Sequence, residues 1–372
     1  MLGHNETYPI GIDIDDQHVY AAQFQQTRQG LAVRDLFYRK LTEQQAESPE
    51  WEDALVSALK AASKNKRFRG KRAAIHLPAR HVNCFPISFG IAAGEAIDVA
   101  IARECRKHLS FPLENAVIDY SSLIDVSSGE KRRFKAFIVV AHRDQIERHV
   151  RLLKRAGLSA ETIDFDLSSL LRLHHSLHSQ SDAPVVLCNI GQRQTLIAIV
   201  TKDDILAQRN TTWGIQGLLN RVETNLEFPS NSRQSVELLT TYGLKYDDHI
   251  QPPDGSGDSK NGTPGDDIAI YRTLFQILPP YVDVLVHELY QIFGYARSKQ
   301  SGIRFEKIFM YGQAYTVGAL DQYLEAHLGI PTESINPILK LNMADGCRFP
   351  DTAGGASFAL ALGLALRKVI WL

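Results

Sequence analysis

Apolar residues recur at every second position through Tyr8, Ile10, Ile12 and Ile14, which is the period of a strand. Val19, Ala21 and Phe24 resume after Asp15-Asp16-Gln17, so Tyr8–Phe24 predicts a hairpin with an acidic turn. A third strand is predicted over Leu31–Leu41, a helix over Pro49–Ala62 with Trp51, Leu55, Ala58 and Leu59 on one face, and a buried strand over Ala73–Leu77. From Pro78 the texture changes. Strands are predicted over Asn83–Phe89, Ala116–Ile124 and Phe134–Ala141, with helices over Ala92–Leu109 and Arg143–Ala156. The first of these helices sets Ile97, Ile101, Cys105 and Leu109 along one stripe, as expected of an α+β insert packed on its own small sheet. Gly157 ends the second helix, and Ala160–Phe165 returns the chain to the first sheet.

The second half echoes the first. After a helix over Asp166–Leu177 and a short linker over Ser179–Ala183, a buried strand VVLCNIG leads into a turn over Gly191–Gln194. Strands over Thr195–Thr201 and Ile205–Arg209 follow, and the repeated strand, turn and strand predict an internal duplication. Helices are predicted over Trp213–Leu226 and Ser232–Tyr242. Gln251–Asp267, rich in Pro, Gly and Asp, predicts a mobile loop, and a long helix over Asp267–Ser298 is expected to break or kink at Pro279-Pro280. A strand over Phe305–Tyr311 runs into Gly312-Gln313, followed by a helix over Tyr315–Leu328, a short edge strand over Ile335–Ile338 and a final helix over Thr352–Leu366.

Composition narrows the class. With 372 residues, 44% apolar and 22% charged, the chain fits two domains of ordinary size. Its 41 basic and 42 acidic side chains leave a net charge of -1, which gives no global field toward nucleic acid or anionic lipid. Lys64–Arg72 is a basic run with one aromatic and reads as a solvated helix exit. Cys84, Cys105, Cys188 and Cys347 lack CxxC spacing and suggest neither zinc nor disulfides, and His174, His175 and His178 lack the carboxylate or thiol that would complete a metal set, so they read as a polar, exposed helix end. No secretory leader and no apolar run of about 20 residues is present, which predicts a cytoplasmic protein. The ending LALRKVIWL reads as a segment packed on the fold or on a partner, because it lacks the flexible spacer of a membrane anchor.

Asp13 closes the first strand, where a carboxylate either holds a magnesium-bound water near a triphosphate or receives the N–H groups of the turn. Glycine- or acid-bearing turns after buried strands, spread over two similar halves, resemble the actin-like ATPase layout. RECRKHLSFPLENAVIDYSSL over Arg103–Leu123 makes the resemblance specific. It is similar to a signature of the PilM family of type IV pilus assembly proteins, with Phe111-Pro112-Leu113-Glu114 and Val117–Tyr120 in place. Phe137–Asp164 and Ile308–Pro337 resemble that family's next segments.

The resemblance implies an α/β, actin-like (ribonuclease H-like) duplicated fold, related to FtsA and the GspL cytoplasmic domain, with an α+β subdomain IC insert. The expected divisions are IA over 1–77, IC over 78–156, a return to IA over 157–183, IIA over 184–229, IIB over 230–304 with the 251–267 loop, and a return to IIA over 305–372. It further implies a cytoplasmic adaptor, peripheral to the inner membrane, in a pilus or type II secretion platform. That adaptor binds the cytoplasmic tail of a PilN-like membrane protein and other platform components, meets membrane only through partners, binds no nucleic acid and leaves self-association open. Phe85, Ile87, Ile97 and Ile101 are the expected wall of the tail groove.

ATP and Mg are the implied ligands, with Asp13 nearest the metal, yet each contact loop departs from the family pattern. Asp15 and Asp16 stand where glycine and a hydroxyl residue are expected, and Tyr20 lies where a basic residue reaches the phosphates. Asn189-Ile190-Gly191, followed by Gln192, replaces Asp-Ile-Gly, and Gln313 follows Gly312 in place of a second glycine, with Tyr315 nearby. The expectation is a degenerate nucleotide site in a protein without catalysis, against the alternative of an active ATPase that binds and hydrolyses MgATP.

Overall fold

The computed structural model describes residues 8–15, 17–41, 48–127, 132–179, 182–227, 233–245, 272–348 and 354–367. Asp16, most of the 251–267 loop's surroundings, the loop itself, and 368–372 of the apolar ending lie outside the described residues. The chain divides into two compact units, one of Met1–Ser181, Lys202–Gln208 and Pro337–Leu372, the other of Asp182–Thr201 and Arg209–Asn336.

The first unit begins with β1 (Ile10–Ile14), β2 (His18–Thr27) and β3 (Gly30–Lys40), then α1 (Pro49–Ser63) and β4 (Arg72–His76). Ser48 caps α1 by accepting from the Trp51 N–H, with Pro49 at the first helical position, where its missing N–H costs nothing. The insert consists of β5 (Val82–Gly90), α2 (Ile97–Cys105), β6 (Ala116–Asp125), β7 (Arg133–His142) and α3 (Arg143–Arg155). Its three strands pair antiparallel in the order β5-β7-β6, and α2 covers a core of Ile87, Phe89, Ile101, Cys105, Phe134 and Ile138. The predicted helix over Ala92–Leu109 is thus shorter at both ends.

After β8 (Ser159–Asp164) and α4 (Asp166–Leu177), the first sheet is complete in the order β3-β2-β1-β4-β8. One face packs on α1 and α3 through Ile10, Ile12, Trp51, Leu55, Leu59, Leu152 and Leu153. His174 on α4 corrects the expectation of an exposed histidine end. It is 6% exposed and stacks on His178 with ring centroids 4.8 Å apart, and burial lowers its pKa to about 3, whereas His175 is exposed.

The second unit repeats the pattern. Its strands are β9 (Val185–Ile190) and β10 (Thr195–Val200), continued in the same sheet by β11 (Ile205–Thr211), whose first residues belong to the segment Lys202–Gln208, and followed by α5 (Ile215–Asn225) and α6 (Arg233–Thr241). Then come α7 (Pro279–Lys299), β12 (Ile308–Gly312), α8 (Leu320–Leu328) and β13 (Thr332–Ser334), giving the order β11-β10-β9-β12-β13. In both sheets the first strand is antiparallel to the second and parallel to a later one, β1 to β4 and β9 to β12. Residues 272–277 are helical, Leu278 interrupts the run, and Pro279-Pro280 begin α7, so the prolines break the longer helix as expected, because neither has an N–H to donate to the turn before it. The predicted helix over Tyr315–Leu328 is broken at Ala319, whose φ is +59°, and the edge strand falls at Thr332–Ser334 instead of Ile335–Ile338.

The chain closes with α9 (Pro337–Lys340), a single turn, and α10 (Ala359–Ala365), both in the first unit. α10 lies so tightly on β1 that a Cβ at Gly11 would stand 2.1 Å from the Ala361 carbonyl oxygen and 2.3 Å from the Ala365 nitrogen, so only glycine fits there.

Candidate functional site

In the first unit, the β1–β2 hairpin turns on Asp15. Its carboxylate Oδ1 accepts the backbone N–H of Gln17 at 2.7 Å and of His18 at 2.6 Å, and both oxygens lie 3.1 Å from His18 Nδ1. A turn whose amides face outward is a natural cradle for phosphate oxygens. Here the chain's own carboxylate fills it.

Asp13, one residue before the end of β1, is 8% exposed and equally engaged. Because β1 runs parallel to β4 with Ile12 beside Ile75, the next pair along brings Asp13 to His76. His76 Nε2 lies 2.7 Å from Asp13 Oδ1, while Nδ1 faces Asp166 Oδ1 at 2.5 Å and the Leu77 carbonyl at 3.1 Å. Burial alone would lower the pKa of His76, but the Asp166 and Asp13 carboxylates outweigh it and hold the ring well above its ordinary value, as an imidazolium between two anions. Tyr20, opposite Asp13 across the hairpin, is 4% exposed and packs against Tyr38 and Phe358 with ring centroids 5.2 Å apart in each case. It is a core side chain.

In the second unit the corresponding strand end carries Asn189, 9% exposed, whose buried Oδ1 has no hydrogen-bond partner. β12 runs alongside and brings Gly312 next to Ile190. Gly312 has φ +69°, and a Cβ there would lie 2.4 Å from the Ile190 carbonyl oxygen and 2.8 Å from Asn189 Oδ1, so this cradle requires glycine. The turn is closed by backbone alone, with the Gly191 N–H donating to the Gln194 carbonyl at 2.8 Å. The first amides of α5 are also taken. Ile215 N–H donates to the Gly191 carbonyl at 3.1 Å and Gln216 N–H to the Gln192 carbonyl at 2.9 Å, while Gln192 Nε2 donates to Gln216 Oε1 at 2.7 Å. Gln313 opens a 3₁₀ turn and accepts from Thr316 Oγ1 at 2.6 Å; Tyr315 is 48% exposed.

These residues do not fit a magnesium–triphosphate. The hairpin amides are occupied by Asp15, Asp13 is bound to an internal cation, and the helix N-terminus that would face phosphate donates to loop carbonyls. Asn189 Oδ1 and the Gly312 cradle alone keep the form of a ligand site. No group of three or more His, Cys, Asp or Glu side chains arranged for a metal occurs among the described residues.

Of the residues expected to wall a peptide groove, Ile87 and Ile101 are 7% and 3% exposed and form the core of the insert. Phe85 and Ile97 are partly buried against that core, and Phe85 packs on His108 with centroids 4.7 Å apart. Sequence reasoning missed His76 and Asp166. Their signal is a histidine ending an otherwise apolar strand, AAIH, parallel to a strand that carries an aspartate near its end.

No helix of the described residues is long and apolar enough to cross a membrane. A family model described as type IV pilus assembly protein PilM matches residues 11–253 and 270–369. Among solved structures, a PilM-PilN type IV pilus biogenesis complex matches with a TM-score of 0.74 at 20% identity, covering 96% of this chain and 98% of that one. The ethanolamine utilization protein EutJ from Carboxydothermus hydrogenoformans matches with a TM-score of 0.51 at 12% identity, over 96% of this chain and 89% of that one. These two similarities establish the actin-like α/β fold, as the sequence led us to expect. With the family model spanning nearly its whole length, the chain belongs to the family of the type IV pilus assembly protein PilM.

Proposed function

We propose that this chain is a cytoplasmic adaptor of the inner-membrane platform of a type IV pilus or type II secretion system, holding the cytoplasmic tail of a PilN-like membrane protein with a degenerate nucleotide site. The family supports the platform role, and a related structure is a complex with PilN. An extended tail gains main-chain hydrogen bonds along an exposed strand and apolar contact beside it. The insert, taken as 78–156 between the segments 1–77 and 157–183, has such edges at β5 and β6, and Phe85 and Ile97 are the groove candidates that keep exposed surface. The subdomains 184–229, 230–304 and 305–372 complete the proposed division.

The observation that carries the absence of catalysis is the Asp15 turn, whose amide donors are already satisfied by a carboxylate. A phosphate placed there would also meet that negative charge, a repulsion of about 4 kcal/mol at 4 Å for an effective dielectric near 20. Calorimetry with the tail peptide of the cognate PilN-like protein, with and without MgATP, tests the reading. The expected result is micromolar binding that MgATP leaves unchanged, and no heat from MgATP alone. Absence of peptide binding at high micromolar concentration overturns the adaptor. MgATP binding and turnover that Asp13→Ala abolishes would establish the ATPase instead.

A further inference from the structure

We propose that the cationic loop between α1 and β4 docks on anionic phospholipid headgroups and so lays the first unit directly against a membrane surface. Lys64–Arg72 contains six cations in nine residues and no acid. A fraying helix exit would be the ordinary fate of such a run, but the backbone here is fastened at several points.

Asn65 Nδ2 donates to Asp35 Oδ2 at 2.8 Å, and Asp35 is 2% exposed. The Arg67 N–H donates to Asn65 Oδ1 at 3.1 Å, and Arg34 Nε donates to the Arg67 carbonyl at 2.5 Å. Gln23, 1% exposed, grips both backbone groups of Arg69, its Nε2 donating to the carbonyl and its Oε1 accepting the N–H, each at 2.8 Å. Phe68 sinks into the core of the first sheet with 8% exposure. Loop ordering therefore costs nothing further when a ligand arrives, which is the preorganisation a weak electrostatic contact needs.

The charges point the other way. Lys64, Lys66, Arg69 and Lys71 are exposed, and none of them pairs with a carboxylate among the described residues, whereas Arg72 pairs with Glu161 at 3.2 Å. Arg34, next to this group, has its pKa lowered by burial and by the like charge of Arg69, with Asp35 acting in the opposite sense. The tip is unobstructed at Gly70, where a Cβ would meet nothing within 4 Å. A peptide partner needs a groove, while a lattice of headgroups needs only cations on flexible stems held in one plane. With a net charge of -1, attraction to such a surface has to be local, and this face supplies a local excess of cations. The proposal uses the adaptor reading only to place the chain near a membrane.

The test is co-sedimentation of the full chain with vesicles of phosphatidylcholine alone or mixed with phosphatidylglycerol, at low and at physiological salt. Binding is expected on the anionic vesicles alone, weakening as salt rises. The triple change Lys66→Gln, Arg69→Gln, Lys71→Gln should lower partition about 100-fold, at roughly fivefold per cation. Unchanged melting temperature and unchanged PilN-tail affinity in that variant separate this surface from the fold and from the adaptor site. Equal partition on both vesicle types, or partition that survives the triple change, overturns the proposal. If the chain ignores both vesicle types but its binding to an acidic protein is lost in the variant, the surface is a protein dock and the lipid proposal falls. Vesicle binding without tail binding would retain this proposal and remove the adaptor reading.

Discussion

The two hairpins, β1–β2 and β9–β10, share strand order and direction but solve opposite problems with their polar groups. At the first, the protein supplies both charges from within: Asp15 is the anion on the turn amides, and His76 is the cation on Asp13. At the second there is no charge to satisfy. Asn189 keeps the outline of the position, its Oδ1 buried and unpartnered beside Gly312. The two halves thus share a backbone pattern while differing in electrostatics, and in the first half the polar groups of the turn and strand end are paired within the protein. Buried polar atoms without partners are rare enough in native proteins that Asn189 stands out as much as the saturated Asp13 does.

The sharpest way to break this comparison is His76→Ala. It leaves the buried Asp13 and the half-buried Asp166 without their cation, and removing one partner of a buried ion pair costs about 3–5 kcal/mol. Urea denaturation should show that loss as a lower midpoint. Next comes Gly312→Ala, where a φ of +69° and the Ile190 carbonyl at 2.4 Å both oppose a side chain. A cost of at least about 1–3 kcal/mol is expected in the same assay. Asp15→Ala strips two amides of their acceptor and should cost about 0.5–2 kcal/mol, comparable to loss of a helix cap.

Asn189→Ala is expected to have the smallest effect, within about 1 kcal/mol, because its Oδ1 has no bond to lose. If Asn189→Ala destabilises as much as His76→Ala, the contrast between a saturated and an open half is wrong. The pH dependence sharpens the same point. His76 has a folded pKa well above 6.5, so its contribution is fully present below about pH 6.5 and is lost as pH rises through the folded value. His149 and His174 act in the opposite sense. Their pKa values are lowered to about 4 and about 3, so stability falls as pH drops below about 6.5 toward those values. Melting curves across pH should lose their alkaline slope, but not their acid one, in His76→Gln.

Much of the fold was legible because period-two alternation marks a strand without reference to its neighbours. Ile10, Ile12 and Ile14 announced the first hairpin, VVLCNIG the second, and the stripe from Ile97 to Cys105 the insert's helix. Reading Asp15 as an obstacle to phosphate was also legible, since it needs only local chemistry. The clamp on Asp13 was not, because it depends on the register of β1 with β4 and on the start of α4 reaching the same point. His174 misled for a related reason: a histidine near a helix end reads as solvated until its packing is known. The break at Pro279-Pro280 was legible as well, since a missing N–H interrupts a helix wherever it falls. Ile87 and Ile101 were placed on a partner's groove, but the insert is too thin to spare large apolar side chains from its own core.

The contact between α10 and Gly11 bears on how the protein folds. β1 stands near one end of the described residues, and the helix packed on it stands near the other. Most of the described residues lie between the two segments, a long-range closure of the kind that slows folding and exposes strands to aggregation.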